Sequence, residues 1–311
     1  MEFFKKQTRI PFMRLRWAWY GISGAMVIAS IVLVAVRGLN LAVDFTGGVT
    51  VEASFPRTAD LDAVRHGLSG GGFPEHQVQS FGSSRDILIR LPPAEHQSGA
   101  EIRAGVERVL KSIDSQAEIR RLEVVGPQVG AELRTSATWA LAFTVLLIFL
   151  YVLLRFHSWR LSAGAILAAL HDPLVMLGFF AATQMTFDLA VVAAILAVIG
   201  YSLNDTVVIF DRIRERFHAN RRAAPIVILD ESINQTLSRT IMTSLTTLIV
   251  VVTLYVLGGP ALHGFSAAII IGVVIGTYSS IYVASAIALD LGLQAEDIFP
   301  AERRTAADNL P

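Results

Sequence analysis

Cysteine is absent from all 311 residues. A disulfide framework, a Cys-x-x-Cys redox site and a thiolate metal site are thereby excluded. Charge is scarce as well. Only 17% of residues are Asp, Glu, Lys or Arg, against roughly 25% in a soluble protein. Neither sign dominates, since 26 basic residues balance 26 acidic ones. A broadly basic nucleic-acid binder and an acidic tail protein are excluded on that ground. What is abundant is apolar, at 53% of the chain. That composition points to a membrane protein.

The apolar residues are clustered. Trp17 to Val36 and Thr135 to Leu154 are uncharged runs of 20 residues, Thr240 to Leu262 is one of 23, and Gly264 to Leu289 one of 26. A bilayer span needs about 17–25 apolar residues. Leu161 to Phe187 is interrupted only by His171 and Asp172, and Leu189 to Phe210 only by Asp205. Six spans result. The first is read as an uncleaved anchor, because its core exceeds the roughly 7–15 residues of a signal peptide and no A-x-A site follows.

Orientation follows from basic residues in short loops. Lys5, Lys6, Arg9, Arg14 and Arg16 precede span one. Arg155 and Arg160 follow span two, and Arg212, Arg214, Arg216, Arg221 and Arg222 follow span four. Arg303 and Arg304 lie in the tail. The short loops near 183–188 and 258–264 hold no Lys or Arg. Both termini are therefore expected in the cytoplasm, with one large domain outside. The expected division is a segment 1–16, span one at 17–37, an external domain at 38–134, spans two to six at 135–290, and a tail at 291–311.

The external domain has its own pattern. Val49–Phe55 alternates as a strand. Thr58–Leu68 reads as a helix capped by Thr58 or Asp60 and stopped by Gly70-Gly71-Gly72. Gln77–Phe81 and Asp86–Leu91 form a hairpin about Gly82-Ser83-Ser84. Ser98 opens a second helix to about Ile113, and Ala117–Val125 is the last strand. The order β-α-β-β-α-β predicts a ferredoxin-like α+β domain. His66 and His76 read as surface residues. No nucleophile–base pairing, metal cluster or phosphate loop is present, so a binding or mechanical module is expected rather than an enzyme. Two glycine motifs bracket it: Asp44-Phe45-Thr46-Gly47-Gly48 and Gly126-Pro127. Glycine widens and proline narrows the backbone's options. The motifs read either as tight turns or as a hinge pair.

Asp205 is the most informative residue. A charge at the bilayer centre costs at least about 2.5–3.5 kcal/mol, so such groups face a protein interior or water. Asp205 lies about 9 Å past the middle of span four, and Arg239 about 13 Å from the middle of span five on the same side. The two depths are compatible with a pair. Asn204 and Thr206 flank the carboxylate and could bond it. Asp211, followed by Arg212, reads as interfacial. Asp172-Pro173 could begin a helix with the carboxylate as cap. Yet 173–187 is only 15 residues long, too short to cross, so His171 and Asp172 are expected inside span three. Span six carries a small-residue face at Gly272, Gly276, Ser279 or Ser280, and Val283 or Ala284, either a contact within the bundle or a seam with a partner.

Several of these stretches together resemble the SecF family of bacterial protein-export subunits. They are DFTGG at 44–48, VGP at 125–127, His171-Asp172, GYSLNDTVVIFDRIRE at 200–215, QTLSRT at 235–240, GGP at 258–260 and IGTYSSIYVASA at 275–286. The resemblance spans about residues 10–290. Pro173 departs from it, standing where a β-branched residue is expected. The resemblance implies a membrane all-α six-helix bundle, half of a resistance-nodulation-division-like fold, with the ferredoxin-like domain inserted. It implies a SecD partner, the SecYEG channel, a translocating preprotein, and protons as the driving species. It implies contact with membrane lipid in the inner membrane, no nucleic acid, no cofactor and no metal. The proton relay would comprise Asp205, Arg239, Asn204, Thr206, Asp172 and His171, and the hinge Asp44, Phe45, Thr46, Gly47, Gly48, Gly126 and Pro127. A small-molecule exporter of the same fold and a passive scaffold are the rivals. The short outer loops speak against the first. The burial cost of Asp205 speaks against the second.

Overall fold

Helices end where caps or breakers end them, not where apolar residues stop. The spans therefore overrun their uncharged runs. The computed structural model describes residues 8–93, 98–156 and 158–298; Lys5, Lys6, Arg303 and Arg304 lie outside them. A 3-10 turn at Phe12–Leu15 leads into α1 (Arg16–Arg37). After the sheet domain come α5 (Pro127–Phe156), α6 (Trp159–Thr183), α7 (Leu189–Ala219) and α8 (Pro225–Leu257). The sixth span joins α9 (His263–Ser279), a π-helical turn (Ser280–Ala284) and α10 (Ser285–Asp290). Among the described residues, six helical segments are long and apolar enough to cross a membrane. Pro127 and Pro225 stand in the first turns of α5 and α8, where a missing N–H costs nothing. The α6 helix runs through His171, Asp172 and Pro173, in keeping with the length argument.

Between α1 and α5 lies the inserted domain. A short helix, α2 (Val43–Thr46), precedes β1 (Gly48–Ser54), α3 (Leu61–Gly70), β2 (Gln77–Phe81), β3 (Ser83–Leu91), α4 (Gly99–Ile113) and β4 (Glu118–Val125). The strands pair antiparallel in the order β2-β3-β1-β4, the ferredoxin-like arrangement. In register, Val51 faces Ile89 on one side and Leu122 on the other. Alternation sends Val49, Val51 and Ala53 beneath α3 and α4, where they meet Val64, Leu68, Ile102, Val106 and Leu110. Each large side chain so buried contributes roughly 1.5–3 kcal/mol. Asp60, not Thr58, caps α3, accepting from Asp62 N and Ala63 N. Ser98 and Glu101 form a capping box on α4.

The domain is seated on the bundle. Phe187 N donates to Asn40 O at 2.8 Å, and Ala42 N to Phe187 O at 2.9 Å. The Arg90 guanidinium on β3 donates to Asn40 Oδ1 and Thr186 Oγ1. Phe45 packs on Phe187, which packs on Phe180. At the other side, the β2–β3 turn at Gly82 abuts the Pro260 ring. A polar cleft of about 510 Å³ lies between the open face of the sheet and these membrane loops.

Two apolar clusters fill the bundle. One gathers Phe12, Met13, Phe156, Ile209, Phe210 and Phe217. The other gathers Phe45, Met176, Phe180, Val191, Ile195 and Ile199. Along α7 the second cluster ends at Ile199 and the first begins at Ile209. The interval holds Ser202, Asp205 and Thr206, all buried.

Candidate functional site

That interval is part of a polar layer shared by three helices. Asp172 on α6 is fully buried, at 0% exposure. Its Oδ2 accepts from the Ser202 hydroxyl of α7 at 2.6 Å and from the Ser279 hydroxyl of α9 at 2.9 Å. Its Oδ1 lies 3.0 Å from His171 Nδ1. His171 Nε2 is buried with no hydrogen-bond partner. The Tyr278 ring stands 6.2 Å from the imidazole, and its hydroxyl donates to Trp19 O while bonded to Ser23 Oγ on α1.

The approach of α9 to α7 makes this possible. A Cβ at Gly276 would fall 2.8 Å from Ser202 Cβ, and one at Gly272 would fall 2.5 Å from Val198. The small residues of span six are thus a seam within the bundle. The π turn begins one residue after Ser279. Such turns widen the backbone locally and recur at functional sites.

Asp205 follows Ser202 by three residues, hence on the same side of α7. It is 3% exposed, and its Oδ2 has no hydrogen-bond partner. The Arg239 guanidinium is near enough to act on it electrostatically. The two do not form an ion pair, and Arg239 is exposed. Next to Arg239, Thr240 is buried with an unpartnered hydroxyl. Thr206 is buried too, but its hydroxyl donates to Ser202 O rather than to the carboxylate. Asn204 is exposed, turned away from the layer. Asp211 pairs with Arg155 at 2.6 Å and is partly exposed.

The two glycine motifs meet. Asp44 Oδ2 accepts from Leu189 N, the first residue of α7, at 3.1 Å. Phe45 is buried, and Thr46 Oγ1 donates to Gly47 O. Gly47 has φ 71°, and a Cβ there would lie 2.9 Å from Pro127 Cα. Gly48 has φ 121°. Gly126 accepts from Gly130 N as α5 begins. Beside Asp44, burial and the neighbouring carboxylate push the Asp188 carboxyl up. Among the described residues, no three His, Asp or Glu side chains are grouped to hold a metal ion.

Ser202 and Ser279 escape a reading of the sequence. Serine among small apolar residues looks like a packing face, and only the fold shows that both hydroxyls converge on one carboxylate.

Comparisons with known proteins show the family. Residues 105–294 match the family described as protein export membrane protein SecD/SecF, C-terminal. Residues 32–55 match the SecD/SecF GG motif. The protein translocase subunit SecF of Vibrio alginolyticus is 45% identical over 302 residues, covering 97% of this chain and 96% of the relative. That of Escherichia coli O157:H7 is 46% identical over 287 residues, covering 92% and 88%. The crystal structure of SecDF from Thermus thermophilus, described as a translocon-associated membrane protein, superposes with a TM-score of 0.84 at 36% identity. The match covers 91% of this chain and 39% of that one, so the chain spans well under half of the solved SecDF. Its six apolar helices make it a multi-pass membrane protein, and it belongs to the SecD/SecF family of protein-export membrane proteins.

Proposed function

We propose that this chain is the SecF-type subunit of a protein-export machine, coupling the proton-motive force to the movement of preproteins across the inner membrane. The observation that carries this is Asp205: a carboxyl buried in an apolar span, with one oxygen unpartnered and an arginine in electrostatic range but not in contact. A buried acid in that position binds a proton while Arg239 is withdrawn and releases it as Arg239 approaches. The membrane potential supplies about 2.3 kcal/mol per charge per 100 mV, enough to bias such a switch. Nothing in the layer is arranged for bond-breaking chemistry, which favours transport over catalysis.

The other parts follow. A SecD-type partner supplies the half of the assembly this chain lacks, and the pair serves a SecYEG channel. Both termini face the cytoplasm and the ferredoxin-like domain faces the periplasm, as the basic loops require. Gly47, Gly48, Gly126 and Pro127 act as the hinge on which that domain swings.

The test is export into vesicles under an imposed proton gradient. Asp205→Asn is expected to abolish the gradient's effect while leaving assembly intact, and Asp205→Glu to keep part of it. Arg239→Met should fail as well, with the double variant little worse than either alone, as for one coupled unit. An Asp205→Asn complex that still responds to the gradient would refute the assignment. Orientation is checked by single cysteines in this cysteine-free chain: Ser83→Cys labels from outside, Ala223→Cys only from the cytoplasm.

A further inference from the structure

We propose that His171 and Asp172 form a second proton-holding site, distinct from Asp205, in which Ser202 and Ser279 are positioning residues. The proposal rests on the proton-coupled reading above and deepens it.

The buried polar residues of the bundle include two aspartates and one histidine but, among the described residues, no Lys or Arg. A negative charge in this layer therefore has only protons to neutralise it, apart from Arg239 acting on Asp205 from outside the core. Asp172 shows where its proton goes. Oδ2 accepts two hydroxyls, which stabilise it bare and make it the poorer site for a proton. Oδ1 faces His171 Nδ1, and one hydrogen lies between them.

With that hydrogen alone, the pair is a neutral imidazole on a carboxylate and carries a net charge of −1. Uncompensated burial of a charge is strongly unfavourable. A second proton cancels it, giving an imidazolium on a carboxylate. The atom left to take it is His171 Nε2, which is buried and unbonded. Loading forms the Nε2–H bond with a proton from water, and unloading returns that proton to water. No other bond changes.

The remaining neighbours do not compete for this proton. From α9 the pair faces Ser279 and the phenol of Tyr278, whose own hydroxyl is already bonded. From α7 it faces Ser202, with Asp205 one turn further on. From α1 comes Ser23, bonded to Tyr278. Ser279 has an alternative acceptor, Gly276 O at 3.2 Å. Its hydroxyl can turn there when His171 changes charge, and the π turn begins at the next residue. The small-residue seam at Gly272 and Gly276 then has a chemical purpose: it brings two hydroxyls to one carboxylate.

The measurement is the protonation of His171, read by nitrogen NMR on the full chain in lipid, with the signal assigned by its loss in His171→Gln. Nε2 is expected to be found both with and without a proton across the pH series. The hydroxyl donors draw charge from the carboxylate and weaken its hold on an imidazolium, so the Ser202→Ala, Ser279→Ala double variant should bind the proton more tightly. Its midpoint should move up by about one pH unit. Ser279→Thr, which keeps the hydroxyl, should restore most of that shift to the Ser202 single-variant value. Asp205→Asn should move the midpoint far less than the double serine change. A His171 that stays in one state throughout, or a midpoint indifferent to both serines, would overturn the proposal and leave a structural hub. Because no export is measured, the outcome is separate from that of the Asp205→Asn test.

Discussion

In the inserted domain, the buried side chains include Val49, Val51, Ile87 and Ile89 beneath Val64, Leu68, Ile102 and Leu110. In the helical bundle they include His171, Asp172, Ser202, Asp205 and Ser279. Among the described residues, every buried polar side chain belongs to the membrane part, and none to residues 38–126. The outer surfaces are reversed as well. Within that same range Val124 is the one large hydrophobic exposed, whereas α1, α5 and α8 expose Ile28, Leu147, Val250 and others. The two regions answer to different solvents. Water drives the sheet and its helices together by expelling apolar surface. Lipid is as apolar as leucine and gives no such drive, so helices associate through small residues and internal hydrogen bonds. One region cannot tolerate a polar core. The other is organised around one.

The sharpest way to break this contrast is Val51→Asp. An unpaired charge in the domain's core should cost more than about 4 kcal/mol. Hydrogen exchange on the full chain should show β1 and β3 losing protection while α7 and α9 keep theirs. Continued protection of β1 would mean the two cores are less different than they look.

Gly47→Val comes next. Strain at φ 71° and the clash with Pro127 together should cost about 2 kcal/mol or more. The loss should fall on the junction, so gradient-driven export drops while β1 to β4 stay protected. Undiminished export would remove the hinge and leave a tight turn.

Thr240→Val works in the opposite sense. Its buried hydroxyl has no partner, so a nearly isosteric apolar group should leave stability unchanged or raise it by up to about 1 kcal/mol. A rise or constancy in Tm is the expected result. A marked fall would show that the hydroxyl is bonded after all.

Ser83→Ala probes the sheet domain through pH. Hydrogen bonds from Ser54 and Ser83, with Arg120 nearby, hold the Asp86 carboxyl below the usual carboxylate range. A depressed value means stability that is full above the unfolded pKa of about 3.9 and drains away as pH falls through the lower folded value. Ser83→Ala should therefore cost roughly 1 kcal/mol near neutrality, and the difference from wild type should close in acid. A gap that persists in acid would assign the loss to the bonds that Ser83 Oγ accepts from Arg85 N and Asp86 N.

The sheet domain was the more legible region. Period-two alternation and the Ser98–Glu101 cap are local signals, and β2 occupies the residues expected of it. The α3 start resolves to Asp60 because that carboxylate reaches two backbone N–H groups. Span existence was equally plain, but span ends were not: α7 continues to Ala219 and α8 begins at Pro225, since polar residues extend a helix readily once it leaves the bilayer. The site was legible only in part. Asp172, His171 and Asp205 announce themselves as charges or rings in apolar runs. Ser202, Ser279 and the π turn carry no such mark, because their meaning lies in contacts between residues as much as 107 positions apart. Depth reasoning placed Arg239 at the level of Asp205, yet could not say that it stands exposed and unpaired. Nor could it say that Asn204 turns outward, since a flanking position in sequence is a hundred degrees around the helix.

The bond from Asp44 to Leu189 N has a mechanical consequence. It fastens the junction of the inserted domain to the tip of α7, a rod of 31 residues and so about 46 Å long. Asp205 lies just beyond the rod's midpoint. A tilt of about 5° about that midpoint would carry the tip sideways by about 2 Å while scarcely moving the carboxyl. Lateral swings of the domain are therefore absorbed near the tip. Thrust along the axis, or torque about it, is transmitted almost undiminished. A twist of α7 by a few tens of degrees would turn Ser202 away from Asp172 and Asp205 toward or away from Arg239 in one motion. For the hinge proposed above, thrust and torque are the components of a domain swing that would reach Asp205.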